Sequence, residues 1–138
     1  MSDVSKQLIK AHDSFFDKFG NYDFGYCDPD KKLSLHRSGT RLCRLLAAEL
    51  EMSPGSFDIR SNKGGIAVSG EITLHHERIY MQVSQSCMHP RSLSWLIRSC
   101  KGRKDYCGGH NHHLPVTRNG LGGMLRLCRE ILEKEAAR

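Results

Sequence analysis

Cysteine and histidine lie close together at two places in the chain. One residue separates Cys87 from His89, and two residues separate Cys107 from His110. Zinc prefers thiolate and imidazole ligands, and two loop pairs of this spacing close a tetrahedral site if the chain between them folds back. The pattern predicts a structural zinc ion, because four protein ligands leave no open position. The alternative is that buried thiols and surface histidines cluster here without a metal.

Positive charge is concentrated in the same part of the chain. The sequence carries a net charge of +6, and residues 78–118 contain seven basic residues against one acidic residue, Asp105. Basic groups neutralise phosphates, and an exposed aromatic ring stacks on a base. The segment 87–118 is therefore predicted to bind nucleic acid or an acidic protein or nucleoprotein surface, the alternative being a solvated loop. The candidate contact residues here are Arg98, Lys101, Arg103, Lys104 and Tyr106.

Three more arginines recur at helical spacing near the middle of the chain. Arg37, Arg41 and Arg44 are four and three residues apart, so in a helix they share one face. We expect this basic stripe to face solvent and to extend the binding surface. Nothing in the sequence shows whether the stripe lies beside the basic segment.

The basic segment also offers the residues of a hydrolytic site. Asp105, His110, His112 and His113 could supply a general base and metal ligands for hydrolysis of a phosphodiester. Their spacing does not reproduce the nuclease motifs that join His and Asn to a helix. The sequence therefore favours a small non-enzymatic binding protein, and a metal-dependent, nuclease-like hydrolase is the alternative.

Apolar periodicity predicts the elements that must position these residues. Helices are expected over residues 3–19, 35–51 and 121–136, and alternating residues predict three to four strands between Phe57 and Ile97. The predicted fold is a single α+β domain over residues 1–138. It has two N-terminal helices, an antiparallel meander of three to four strands, an irregular Cys/His-rich basic segment and a C-terminal helix. We expect the helices to cover one face of the sheet.

Two local predictions concern Trp95, which could otherwise be taken for a base-stacking residue, and the pair His75 and His76, which could be taken for a metal site. Trp95 alternates with Leu93 and Ile97, so we expect it in the core and not against a base. His75 and His76 are predicted to lie in a polar turn between two strands. Adjacent strand residues point to opposite faces, so this pair is not expected to bind a metal.

The segment Asp105-Tyr-Cys-Gly-Gly-His-Asn-His112, with its basic lead-in, resembles segments of small uncharacterised phage and prophage proteins. The resemblance is confined to this segment and transfers neither a fold nor a catalytic residue. It implies an accessory protein of a mobile element, acting in a bacterial cytoplasm by binding or blocking a host nucleoprotein.

The remaining composition limits the class of protein. With 38% hydrophobic and 26% charged residues, the chain has the composition of a folded domain. No apolar run reaches the roughly 18 residues that a membrane helix needs. The N-terminus also lacks the basic-then-apolar layout of a signal peptide. We therefore predict a cytoplasmic protein with free thiols and no membrane partner.

Overall fold

The protein folds as three helices and a five-stranded sheet, described by a computed structural model for residues 2–20, 28–65, 69–85, 93–106 and 108–136. The elements are α1 (Asp3–Phe19), α2 (Pro29–Glu49), β1 (Phe57–Asn62), β2 (Glu71–His76), β3 (Ile79–Gln85), β4 (Leu93–Ser99), β5 (His112–Pro115) and α3 (Leu121–Ala136). The strands pair antiparallel in the order of the sequence. The predicted α+β fold is confirmed. Across these ranges, no helix combines the length and apolar character needed to cross a bilayer.

The helices follow the predicted pattern except at the ends of α2. This helix begins at Pro29 and ends at Glu49, whereas apolar periodicity predicts residues 35–51. The side chain of Asp28 caps its first turn by accepting hydrogen bonds from the backbone N–H groups of Asp30 and Lys31, both at 3.1 Å. Aspartate at the cap and proline in the first turn are typical of a helix start. The apolar stripe simply begins later than the helix.

One face of the sheet packs against the helices and forms the core. The residues facing the helices are alternate strand residues, including Ile72, Leu74, Met81, Val83, Trp95 and Ile97, all essentially inaccessible to solvent. Helix α2 lies over β1 and β2, and α3 lies over β3 and β4. A side chain at Gly39 would place its Cβ only 2.9 Å from the Ile72 Cδ1, so glycine there lets α2 approach the sheet closely. The core placement of Trp95 is confirmed.

The fifth strand was not predicted, because it lies in the segment expected to be irregular. In β5, His112 is opposite Ile97 and Leu114 is opposite Trp95. The backbone N–H of Val116 then donates to the Leu93 carbonyl at 2.9 Å. Four residues are too few to show a clear alternation of apolar and polar side chains. The strand is stabilised by pairing with β4, which its own sequence does not predict.

The histidine pair at the second hairpin is not in a turn, so the predicted polar turn is wrong. His75 and His76 end β2 and are both buried, and the turn falls on Glu77 and Arg78. His76 lies opposite Phe57 on the helix side of the sheet, and His75 lies on the other side. Packing on both faces of β2 therefore extends the strand through residues that look polar in sequence.

Two cysteines are sealed in the core and should not react in the folded protein. Burial raises the pKa of Cys43 and of Cys128 to about 12, so both remain protonated thiols. We expect iodoacetamide at pH 8 to leave both unmodified in the native protein and to modify both in urea. Peptide mass spectrometry after short exposure measures this. Equal labelling of native and unfolded protein at either position would contradict the packing.

Candidate functional site

The face of the sheet away from the helices carries a row of polar and aromatic side chains. Asp58 is directly opposite His75, His75 is opposite Tyr80, and Tyr80 is opposite Arg98. Directly opposite residues of antiparallel strands project to the same side, so these four side chains line up across four strands. We call this side of the sheet the polar face.

Residues 100–106, here called the basic loop, fold back over this row. The backbone N–H of Lys101 donates to the Asp105 carboxylate at 2.9 Å, and the N–H of Asp105 donates to the Gly102 carbonyl at 3.1 Å. Gly102 has a φ of 152°, a region that favours glycine. Asp105 therefore shapes the loop from within.

Arg98 fastens the basic loop to the sheet. It is only 7% exposed, and its Nη2 donates to the Tyr106 carbonyl at 2.7 Å. Its guanidinium carbon lies 4.1 Å from the ring centroid of Tyr80, a cation–π contact. Contact between Arg98 and a partner stays a prediction. Its position in the structure is that of a residue that holds the loop.

The glycines after the basic loop permit its close return to β4. A side chain at Gly108 would place its Cβ 2.0 Å from the Ser99 carbonyl oxygen, an impossible contact. The backbone N–H of Gly109 donates to the same carbonyl at 2.9 Å. The glycine pair thus fixes the path of the chain as it leaves the polar face.

His75 lies at the centre of this arrangement and is fully buried. Its Nδ1 is 2.8 Å from Nη2 of Arg60. A guanidinium group can only donate, so Nδ1 accepts, and Nε2 carries the proton of the neutral ring. Burial, Arg60 and Arg98 lower the pKa of His75, opposed by the Gly102 backbone and Asp58. The His75 ring is therefore neutral in the folded protein at neutral pH.

The folded state should lose stability when His75 is forced to take up a proton. Because its pKa is lower in the folded than in the unfolded chain, the unfolded chain binds protons first as the pH falls below about 6.5. The loss of unfolding free energy from this group alone should approach, at its steepest, about 1.4 kcal/mol per pH unit. Urea unfolding between pH 7.5 and 5.5 should show a shallower loss for His75→Gln than for the unmodified protein.

A matched control for that experiment is His113→Gln, because His113 is exposed. This variant should keep the pH dependence of the unmodified protein, including the contribution of the other buried histidines. The same pH dependence for His75→Gln and the unmodified protein would contradict the placement of His75.

Cationic groups around the basic loop remain open to solvent. Lys101 and Lys104 are exposed, and the side chains of Arg60 and Arg103 are 39% and 38% exposed. Tyr106 is 58% exposed, and the Arg60 guanidinium carbon is 5.5 Å from its ring centroid. We call these five residues the basic surface. Cations surround an accessible aromatic ring here.

Asp58 offsets only part of this charge. Its carboxylate is 3.3 Å from Nη1 of Arg103 and 4.0 Å from Nη1 of Arg60, and its own side chain is 48% exposed. Exposed ion pairs of this kind are weak and exchange readily with solvent ions. The basic surface therefore keeps a net positive charge that a ligand could neutralise.

A second row of side chains extends from the basic surface across the sheet. It consists of mutually opposite residues on the polar face, namely Arg60, Thr73, Gln82, Leu96 and His113. Helices α2 and α3 pack on the other face, so neither covers this row. This row forms a mostly uncharged surface on the polar face beside the basic loop.

Comparison with known proteins finds no family model, no curated protein and no solved structure that matches this chain. The resemblance of residues 105–112 to phage and prophage proteins therefore stays a prediction. What the protein does has to be argued from its own geometry.

The predicted zinc site falls largely outside the described residues. Cys87, His89 and Cys107 lie there, and of the four predicted ligands only His110 is described; it is exposed, with its ring 5.0 Å from that of His112. Within the described ranges, no group of three or more His, Cys, Asp or Glu residues could hold a metal ion. Zinc binding stays a prediction.

The structure brings only part of the predicted hydrolytic site together, because His110 lies beside His112 but His113 is on the other face of the sheet. His112 is opposite Ile97 on the helix side of the sheet, whereas His113 is opposite Leu96 on the polar face. Asp105 accepts a hydrogen bond from the loop backbone. The hydrolase interpretation therefore stays a prediction.

The predicted basic stripe of α2 lies on the helix side of the sheet, not on the polar face. Arg37, Arg41 and Arg44 are exposed on α2, as predicted, but α2 packs on the helix side of the sheet. The structure therefore does not place them beside the basic loop.

Sequence reasoning missed three residues that organise the site. Arg60, His75 and Tyr80 are far from the basic segment in sequence and meet it only through strand pairing. For His75 and Tyr80, the signal that could have found them is the alternation of side chains along β2 and β3. It places both residues on the face of the sheet that the apolar side chains of the same strands do not occupy.

Proposed function

We propose that this protein binds single-stranded nucleic acid on the polar face of its sheet and catalyses no reaction. The observation that carries the proposal is the basic surface itself. Arg60, Lys101, Arg103 and Lys104 surround the exposed ring of Tyr106, with Asp58 as the carboxylate that pairs with two of them.

Charge supplies the attraction in this proposal. Cations that contact phosphates release counterions from the strand, which favours binding at low salt. The four cations of the basic surface sit on the loop and on the neighbouring strand β1. A backbone of phosphates running past Tyr106 meets several of them together.

Stacking on Tyr106 favours a single strand over a duplex. A base in a single strand exposes its flat surface, and an aromatic side chain that stacks on it contributes about 1–3 kcal/mol. Tyr106 presents its ring to solvent while its carbonyl is held by Arg98. The ring is thus accessible and its backbone is fixed, which reduces the entropy lost on binding.

Arg98 and His75 act as positioning residues in this proposal. Both are buried beneath the loop, and the ring centroid of His75 is 5.5 Å from that of Tyr106. The cations that contact the ligand are the exposed ones. An acidic protein surface would meet the same cations but would gain little from stacking.

The experiment that tests the proposal separates stacking from charge at Tyr106. Fluorescence anisotropy with a labelled oligo(dT) measures binding by the unmodified protein, Tyr106→Phe and Tyr106→Ala. We expect the phenylalanine variant to bind like the unmodified protein and the alanine variant to bind about tenfold more weakly, since alanine cannot stack.

Polyglutamate of similar length is the matched ligand, because it carries negative charge without bases. We expect weaker binding to polyglutamate, with no difference between the phenylalanine and alanine variants. Polyglutamate binding as tight as oligo(dT), or no saturable binding of oligo(dT), would overturn the proposal; the first result would favour an acidic protein partner.

A further inference from the structure

A small cavity of about 250 Å³ lies between α2 and β1, on the helix side of the sheet. Three cationic side chains line it, those of Arg37, Arg44 and Lys63. His36, Thr40 and Ser61 contribute polar groups to the wall. Two arginines from the predicted stripe therefore meet a lysine from the β1–β2 hairpin around one concave space that is open to solvent.

The polar wall is fixed by hydrogen bonds within the protein. Nε2 of the buried His36 is 2.9 Å from the Ser69 carbonyl, so it carries the proton of the neutral ring. Nδ1 then accepts from the Ser61 hydroxyl at 2.6 Å. These bonds tie α2 to β1 and engage the Ser61 hydroxyl, which leaves the cations to bind a ligand.

No described residue in the wall of the cavity carries a negative charge that would offset these three cations. Arg37, Arg44 and Lys63 also form no ion pair with any residue of the described ranges. Three positive charges around one concave space repel each other. An anion with several oxygen atoms would relieve that repulsion.

We propose that this cavity binds a phosphate monoester group. Guanidinium groups offer paired N–H donors that match the oxygens of a phosphate, and a lysine adds a point charge. The cavity is smaller than the roughly 300–1,000 Å³ of sites that enclose a whole small molecule, so it fits a phosphate group with its substituent directed outward.

The site is distinct from the basic surface on the polar face. Arg60 and Ser61 are consecutive residues of β1, and consecutive strand residues point to opposite faces. Phosphate binding here can therefore be measured without the proposed nucleic-acid binding. The group could belong to a free small molecule or to the 5′ end of a nucleic-acid strand, which shares the same chemistry.

The test is a titration of the ¹⁵N-labelled protein with inorganic phosphate, followed by two-dimensional NMR. Sodium chloride at equal ionic strength is the reference. We expect saturable shifts at the amides of residues 36–44 and 61–64, and at least tenfold weaker binding for the double variant Arg37→Gln/Arg44→Gln.

Arg41→Gln is the matched control. Arg41 is exposed on the same helix, between the two lining arginines, but does not line the cavity. It should bind phosphate like the unmodified protein. Absence of saturable shifts, or equal losses in Arg41→Gln and in each of Arg37→Gln and Arg44→Gln alone, would overturn the proposal. The second result would mean a diffuse effect of helix charge.

Two further ligands distinguish the source of the phosphate. AMP that binds as tightly as inorganic phosphate or tighter supports a small-molecule ligand. An oligo(dT) that binds more tightly with a 5′ phosphate than with a 5′ hydroxyl, an advantage lost in Arg37→Gln/Arg44→Gln, supports a strand terminus. Both results keep the phosphate site, and failure of oligo(dT) binding alone leaves it intact.

Discussion

Replacing Lys101, Arg103 and Lys104 together by glutamate is expected to lower the affinity for oligo(dT) by about 100-fold or more near 50 mM salt. The three cations lie on the basic loop, two of them exposed and Arg103 partly so. Each phosphate contact to a single strand adds about 0.7 to the slope of log affinity against log salt. Losing three contacts should flatten that slope by about two. Anisotropy titrations at several salt concentrations measure both quantities.

The control must separate a local surface from overall charge. Lys6 and Lys10 are exposed on α1, which packs against α2, and Arg126 is exposed on α3, which packs on the helix side of the sheet. Replacing these three by glutamate changes the net charge from +6 to zero, as the loop variant does. We expect this control to bind within a few-fold of the unmodified protein. Equal losses in the two triple variants, both folded by circular dichroism, would remove the basic loop from the binding surface.

Replacing Trp95 by alanine is expected to reduce the unfolding free energy by about 3–5 kcal/mol. Trp95 is 1% exposed on the helix side of β4, opposite Val83 on one neighbouring strand and Leu114 on the other. Removing the ring leaves a cavity in the core next to β4, whose neighbours β3 and β5 are held in place by backbone pairing. Its Nε1 makes no hydrogen bond with a described residue, so the loss is one of packing. Urea unfolding monitored by circular dichroism measures it.

The same residue supplies an optical control, because it is the only tryptophan in the sequence. Its emission should be at short wavelength and insensitive to acrylamide, and oligo(dT) should not quench it. Trp95→Phe should retain more of the stability than alanine does, since it fills part of the space. Direct quenching by oligo(dT), together with a stable alanine variant, would show that the ring belongs to a binding surface.

The parts of the fold that the sequence predicts are those with a long regular pattern. Helices α1 and α3 have the predicted bounds, because their apolar stripes run through the whole helix. The start of α2 and the strand β5 depend on a capping side chain and on pairing with β4. Neither a capping side chain nor strand pairing produces a periodic pattern of apolar residues in the sequence. The buried His75 likewise shows how a strand can include polar residues when both faces are covered.

The candidate site is predictable only as far as its residues are neighbours in sequence. Lys101, Arg103, Lys104 and Tyr106 follow each other in one basic loop. Arg60 joins them through the register of β1 and β2, which no local pattern specifies. Arg98 is an arginine that the fold buries, against the usual exposure of its residue type. Its place under the loop depends on Tyr80 and Tyr106, which meet it only in three dimensions.

The meander order of the sheet also affects how the protein reaches its folded state. Each strand pairs with the strand before it in the chain, from β1 to β5. Pairing between strands that are neighbours in sequence closes short loops, so each pairing step costs little conformational entropy. We therefore expect folding to be fast for a protein that contains five strands. A chain emerging from the ribosome can add one strand at a time, beginning with the β1–β2 hairpin beneath α2. The basic loop lies between β4 and β5, so it can close only after β4 is in place and Arg98 has a sheet on which to lie.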